Sequence, residues 1–293
     1  MSKVRVGLVC ARVRVEEKML LEAFSRRSGA EVVRIDDDLI QAPLAGAVGL
    51  SGPAADLRSC DVVMLRGLGH FRQLALARLV EAWGIPVVNP AEVVDTCGDK
   101  LRTTLALAGA RVPTPAARVA FTVEAALVAV EELGYPCVVK PTVGSWGRLV
   151  ARLSDRDAAE AVLEHKSLLG GPLHNVLYLQ AHIAKPGRDL RAFVLEGQTV
   201  AVIGRRSDHW ITNTARGARA EAVVISPELV SLCASAAAAV GGGALAIDLL
   251  EGPDGLLVNE VNSTMEFRNS VAPTGVDIPT LLVDHTLAVA ARR

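Results

Sequence analysis

The chain has 293 residues, 51% of them hydrophobic and 22% charged, which supports two or three compact units and excludes a disordered chain. Aromatic residues make up 3%, and 31 basic against 32 acidic residues leave a formal charge of −1. This composition argues against stacking bases on exposed rings. The near balance of charge, which says nothing about local patches, gives no electrostatic reason to expect a nucleic-acid or membrane partner. Five cysteines, none at C-x-x-C spacing, read as small apolar core residues rather than disulfides or zinc ligands. No run reaches the roughly 18 apolar residues of a membrane span, and Lys3 and Arg5 sit in a short alternating run without a signal-peptide core. A cytoplasmic enzyme is the expectation.

In chain order, Val4–Val9 reads as a buried strand and Glu16–Arg27 as a helix. Strands follow at Glu31–Ile35, Asp61–Leu65 and Ile85–Asn89, with a helix at Phe71–Trp83. Strands separated by helices predict a parallel α/β sheet, a Rossmann-like first domain over residues 1–90. No G-x-G-x-x-G follows the first strand, so a dinucleotide is not expected there and the domain is assigned to substrate binding. Pro90 marks a boundary. A second unit, residues 91–180, holds a helix at Ala91–Ala108 and another at Val123–Leu133. It continues with a strand at Cys137–Lys140, a turn at Gly144–Gly147 and a strand at Arg148–Leu153. Asp155–Glu164 reads as a helix with Ser154 as its N-cap, and Leu177–Gln180 as a strand. The third unit, residues 181–293, carries strands at Arg191–Leu195, Thr199–Ile203, Ala246–Leu250 and Leu256–Val261, with a helix at Pro227–Val240. Many strands with hairpins predict an antiparallel α+β module for the last two units.

Near the C-terminus, Asp248 precedes the turn Gly252-Pro253-Asp254-Gly255, and the return strand carries Glu260 and Asn262. Residues two apart on a strand share a face. A hairpin places Asp248 beside Glu260, on the same face if the ladder contains the right bulge. Two carboxylates and an amide oxygen form an all-oxygen set suited to Mg²⁺. A solvated polar face is the plain alternative. The apolar flanks argue against it, because unpaired buried carboxylates are costly. Lys140, ending an apolar strand, with the loop Gly144-Ser145-Trp146-Gly147-Arg148, can contact a nucleotide's phosphates, although no Walker A motif is present. Lys100 and the stretch Arg205-Arg206 to Arg216-Gly217 read either as anion contacts or as ordinary solvated charges.

The order of these features, with "VVNPAEVVDTCGDK", "VVKPTVGSWGR", "KPGRDLRAFV", "HWITNTARG" and "VNEVNSTMEFRNSVAPTGVDI", resembles the ATP-grasp superfamily. Within it, the chain is most similar to the LysX group of the RimK-like branch. The resemblance implies that Lys100 and Lys140 contact ATP phosphates and that Gly144 to Arg148 form a mobile cover. Gln180, Ala181, His182 and Ile183 would form the adenine hinge. Asp189 would lie at the nucleotide, Arg191, Arg205 and Asn213 at the phosphates and acyl phosphate, and Asp248, Glu260 and Asn262 on Mg²⁺. Arg191, Arg205 and Lys140 would be catalytic. Relatives commonly carry an acidic residue after the hinge glutamine, where this chain has Ala181-His182, and a histidine where it has Ser263. Arg216, Ser263, Arg268, Asn269 and Ser270 would meet the amine substrate. Asn269-Ser270 resembles the 2-aminoadipate signature, where glutamate-using relatives have Gly-Phe.

The implied reaction is ATP-dependent joining of an amino acid's α-amino group, 2-aminoadipate first, to a carrier protein through an acyl phosphate. The acceptor would be the side-chain carboxylate of a C-terminal glutamate on a small acidic LysW-like carrier, in lysine biosynthesis, and a homo-oligomer is expected. A RimK-like ligase that adds glutamate to a protein C-terminus is one alternative. A non-catalytic ATP-binding regulator is the other.

Overall fold

The computed structural model describes residues 3–45, 49, 51–171, 174–212 and 217–292. The first sheet is parallel. It comprises β1 (Val4–Val9), β2 (Ala30–Ile35), β3 (Val62–Leu65) and β4 (Val87–Val88), in the order β2-β1-β3-β4. The crossovers contain α1 (Val15–Ser25), α2 (Gly52–Arg58) and α3 (His70–Ala82). β3 is Val-Val-Met-Leu, buried throughout, as expected for a strand covered on both faces. The carboxyl ends of β1 and β3 lead into the segments carrying Arg14 and Arg66.

The predicted helix over Ala91–Ala108 is two helices, α4 (Ala91–Gly98) and α5 (Lys100–Gly109). Asp99 adopts an extended backbone, and its Oδ1 accepts from the Leu101 N–H at 2.8 Å, capping α5. The break makes Lys100 the first residue of α5, where its N–H bonds the Thr142 carbonyl at 2.8 Å. An antiparallel sheet then forms from β5 (Ala117–Ala120), β6 (Cys137–Lys140), β7 (Ala151–Leu153) and β8 (Leu177–Ala181), in the order β5-β8-β6-β7. It is backed by α6 (Val123–Leu133) and α7 (Arg156–Leu169). The cap of α7 is Asp155, which accepts from the Ala158 N–H at 2.8 Å. Ser154, predicted for that role, instead hydrogen-bonds the Asp155 carboxylate.

The third sheet is antiparallel and five-stranded: β9 (Arg188–Leu195), β10 (Gln198–Arg206), β11 (Arg219–Ala222), β12 (Ala244–Gly252) and β13 (Gly255–Asn262), ordered β11-β10-β9-β12-β13. Strand alternation divides its residues between two faces. Leu190, Ala192, Val194, Leu245, Ile247 and Val261 pack against α8 (Pro227–Ala239) and against Val93, Cys97 and Leu107 of α4 and α5. On the other face, Phe193, Ile203 and Ala246 share a core with Val6, Leu8 and Met64 of the first sheet. The short α9 (Val271–Thr274) leads to α10 (Ile278–Ala291), whose Ile278, Leu282 and Val283 complete that core. Asn89, after β4, fastens the first sheet to the third: its amide donates to Ala244 O at 2.7 Å and Ser263 O at 2.6 Å, and its Oδ1 accepts from the Ala244 N–H. All five cysteines are buried and free. Among the described residues no helix is long and apolar enough to cross a membrane.

Candidate functional site

The face of the third sheet that is apolar at Phe193 becomes charged toward the other end of the strands. Asp248 pairs directly with Arg191 on one side and Glu260 on the other, and Arg205 pairs with Asp189. Directly opposed residues of an antiparallel ladder share a face, so these five charged side chains do too. The hairpin register explains why. Gly252 opposes Gly255 and Leu249 opposes Val258, but Asp248 opposes Glu260, so Asn259 is the extra residue of a bulge. Without it Asp248 would face Asn259, and Glu260 would turn to the apolar side.

Asp248 and Arg205 are 5% and 3% exposed, and their charges are mutually compensated. Arg191 donates to both Asp248 oxygens at 2.7 and 2.8 Å. Arg205 reaches Asp189 Oδ1 at 2.7 Å and lies 3.3 Å from Asp248 Oδ2. Burial alone would raise the Asp248 pKa, but Arg191 and Arg205 hold it below the usual carboxylate value. The Asp189 carboxylate also accepts from Thr212 Oγ1 and lies 3.4 Å from Lys185 Nζ.

The charged face is the floor of a cleft of about 110 Å³ roofed by the second sheet. Lys140, at the end of β6, reaches into it. Its Nζ donates to Gln180 Oε1 at 2.5 Å and to Asn259 Oδ1 at 3.1 Å, so its hydrogen-bond partners are neutral amides. Although the side chain keeps some surface toward the cavity, burial of the ammonium pushes its pKa down to about 8, against the pull of Glu260. Lys100 Nζ donates to the Gly144 carbonyl at 2.8 Å and lies 3.4 Å from Glu260 Oε1. Ala181, His182 and Ile183, where β8 ends, line the cleft. Burial, with Arg152 and Lys185 nearby, lowers the His182 pKa, leaving a neutral ring 6.1 Å from Trp210 at pH 7.

Gly144, Trp146, Gly147 and Arg148 line the cleft. Trp146, Gly147 and Leu149 have φ of 59°, 64° and 59°, a left-handed region that costs a non-glycine residue about 1 kcal/mol or more. The conformation is held by Trp146 Nε1 donating to Glu266 Oε2 at 3.1 Å, and the Arg148 guanidinium lies 4.9 Å from the Trp146 ring centroid. Ser145, Ser263 and Asn262 line a neighbouring cavity, together with Asp248 and Glu260. Arg268, Asn269 and Ser270 line another with Arg191 and Arg205. Arg268 and Asn269 are exposed and Ser270 is buried. Asn213 and Arg216 lie outside the described residues.

Residues 97–286 match the model of the RimK-like ATP-grasp domain, and residues 6–96 that of the LysX preATP-grasp domain. This chain belongs to the RimK-like ATP-grasp family. It is 33% identical to the alpha-aminoadipate–LysW ligase LysX of Sulfolobus acidocaldarius, over 93% of this chain and 97% of that one. It is 30% identical to the glutamate–LysW ligase ArgX of Sulfurisphaera tokodaii, over 96% and 97%. The crystal structure of a RimK-domain ATP-grasp protein from Sphaerobacter thermophilus superposes with a TM-score of 0.80 at 30% identity, covering 97% of this chain and all of that one. The protein is therefore an ATP-dependent carboxylate–amine ligase that forms ADP.

In this ATP-grasp cleft several residues stand out that sequence reasoning did not: Asn259, Lys185 and Thr212 around the charged floor, and Arg14, Glu16, Glu17, Arg66 and Glu266 beyond Trp146. The turn Gly-Pro-Asp-Gly fixes the hairpin's end and so carries a signal for the Asn259 bulge. The others depend on partners distant in the chain. The depressed Lys140 pKa gives a signed expectation. A bound polyphosphate favours the charged lysine, so above about pH 8 ATP binding should take up protons and weaken as pH rises. Calorimetry in two buffers of different ionisation enthalpy measures the uptake, and Lys140→Met should remove most of it. An unchanged uptake in the variant would contradict the assignment.

Proposed function

We propose that this ligase joins the α-amino group of an amino acid, 2-aminoadipate first, to the side-chain carboxylate of the C-terminal glutamate of a LysW-like carrier protein. ATP phosphorylates the carboxylate, the amine displaces phosphate, and ADP and phosphate leave. The observation that carries this reading is the second cavity, where Arg268, Asn269 and Ser270 share one chamber with Arg191 and Arg205. An amino acid held by the first group meets a carboxylate activated beside the second. Full-length likeness to two LysW ligases supports the carrier as acceptor.

In this mechanism Lys140 and Lys100 neutralise the nucleotide's phosphates, and Arg191 and Arg205 hold the acyl phosphate with the donors that Asp248 and Asp189 leave free. The Ala181–Ile183 backbone reads the adenine. The Gly144–Arg148 cover excludes water that would hydrolyse the acyl phosphate. Asp248, Glu260 and Asn262 fit Mg²⁺: they are oxygen donors on one face lining one cavity. Asp248 Oδ1 accepts one hydrogen bond, leaving it a lone pair, and among the described residues the ion pair of Glu260 is the 3.4 Å contact to Lys100. The ion would supply charge neutralisation at the phosphates.

Glutamate as the amine substrate is the second reading, favoured by the likeness to ArgX. The exposed Asn269 gives the test, because phenylalanine at the buried Ser270 would overpack the segment. Asn269→Gly should lower the kcat/KM ratio of 2-aminoadipate to glutamate by about tenfold, within the range one methylene commands, with KM for ATP unchanged. An unmoved ratio with saturating carrier would show that selection lies at another residue, and Ser263 would be tested next.

A further inference from the structure

The second cavity, about 310 Å³, is walled in part by the first domain: Arg14 and Glu16 follow β1, and Leu68 follows β3. In the order β2-β1-β3-β4 the chain runs from β1 to one side and returns on the other, so the carboxyl ends of β1 and β3 flank the reversal of winding. Ligands of open parallel sheets sit at this place.

The charges here are unevenly matched. Glu17 is fully buried and accepts three side-chain hydrogen bonds, two from Arg14 and one from Arg66, each at 3.0 Å. Arg191 and Arg205 are engaged by Asp248 and Asp189, and Glu266 by Trp146. Two groups on the wall remain. Glu16 is 3% exposed, yet among the described residues its carboxylate accepts no hydrogen bond; its one ion contact is Arg268 Nε at 3.9 Å. Arg268, whose side chain is 51% exposed, has no other carboxylate beside it among those residues. A buried carboxylate without donors is unfavourable unless a ligand supplies them. The Arg14 and Arg66 charges act on Glu16 from a distance without donating to it, so its carboxylate keeps its acceptor sites toward the cavity. With the Arg268 guanidinium 3.9 Å away, this pairing suits the adjoining ammonium and carboxylate of an amino acid.

We infer that Glu16 binds the α-ammonium group of the incoming amino acid, with Arg268 on a carboxylate of the same molecule. This rests on the proposed ligation of an amino acid and adds the group that distinguishes an amine from its absence. The amine held at Glu16 shares its chamber with Arg191 and Arg205, where the acyl phosphate is proposed to form.

The test is direct binding by calorimetry on the full chain with ADP and magnesium chloride. The probes are 2-aminoadipate and glutamate, and adipate and glutarate, which lack the amine. The wild type should bind each amino acid at least about tenfold more tightly than its amine-free counterpart, as expected for a charged hydrogen bond. Glu16→Gln should bring that ratio close to one with little change for adipate and glutarate, and Arg268→Gln should weaken all four. A ratio preserved in Glu16→Gln overturns the inference alone, and so does an equal loss of all four ligands in that variant. A wild type that binds none of them overturns the proposed amine substrate, and this inference with it. If Glu16→Gln does not fold, Glu16→Asp withdraws the charge by one methylene, and an unchanged ratio there also overturns the assignment.

Discussion

Glu260→Gln is expected to lower ligation on the order of 10²–10³-fold while moving the unfolding temperature by no more than about 2 °C. The substitution keeps the shape of the side chain and removes its charge. Among the described residues it forfeits the long contact to Lys100, at 3.4 Å, and the longer-range pull on Lys140, on a side chain that is 27% exposed. Such a partly solvated pair is worth about 1 kcal/mol or less. The functional loss is larger because the carboxylate that the Asn259 bulge turns into the cleft is the least committed of the two proposed to hold Mg²⁺. Kinetics at saturating ATP and a thermal melt measure the two effects. Turnover within a few-fold of wild type would refute Glu260 as a ligand, whatever the melt shows.

Arg205→Met is expected to reduce stability by about 3–5 kcal/mol, because removing one partner of a buried charge network leaves the other charges uncompensated. Arg205 bonds Asp189 and lies beside Asp248, and all three are at most 5% exposed. The carboxylates raise the Arg205 pKa against the effect of burial, so the guanidinium is charged at every accessible pH. After its removal Asp189 retains, among the described residues, Lys185 and Thr212, and Asp248 retains Arg191. The acid side of the stability curve should change as well. The depressed Asp248 pKa stabilises the fold above the unfolded carboxylate value of about 3.9, and that contribution is lost as pH falls. Without Arg205 the depression shrinks, so this acid-linked loss becomes smaller and is complete at a higher pH. Arg118→Met is the control: Arg118 lies 2.8 Å from Glu132, but both side chains are about half exposed, so about 1 kcal/mol or less is at stake. Denaturant titrations of both variants give the comparison. Equal losses would contradict a buried network.

Much of the fold is local information and was legible. β1, α6 and β6 have the limits that apolar patterning predicts, because each packs one continuous apolar set. The Asp248–Glu260–Asn262 face was legible because a hairpin binds its register to its own turn. The break at Asp99 is hidden in a long helix-forming run, although Gly98-Asp99 is a stop followed by an N-cap. α10 is apolar on most sides, and nothing in its periodicity says that it returns to the first sheet. The least legible feature was the division of labour between Glu16 and Glu17. Adjacent carboxylates in a helix's first turn look alike in sequence. Arg66, 49 residues on from Glu17, neutralises one, while the other faces a cavity. Trp146 and Glu266, 120 residues apart, meet only once three sheets are assembled.

The central claim is that this cleft activates a carrier protein's carboxylate and passes it to an amino acid. The most direct measurement incubates the purified chain with ATP, magnesium, a LysW-like carrier and 2-aminoadipate, then follows ADP release and the intact mass of the carrier. The account predicts one ADP for each carrier that gains one amino acid less a water, with the new bond on the side chain of its C-terminal glutamate and no reaction when any component is omitted. ADP release without a change in carrier mass, or a carrier modified equally well without ATP, would contradict it.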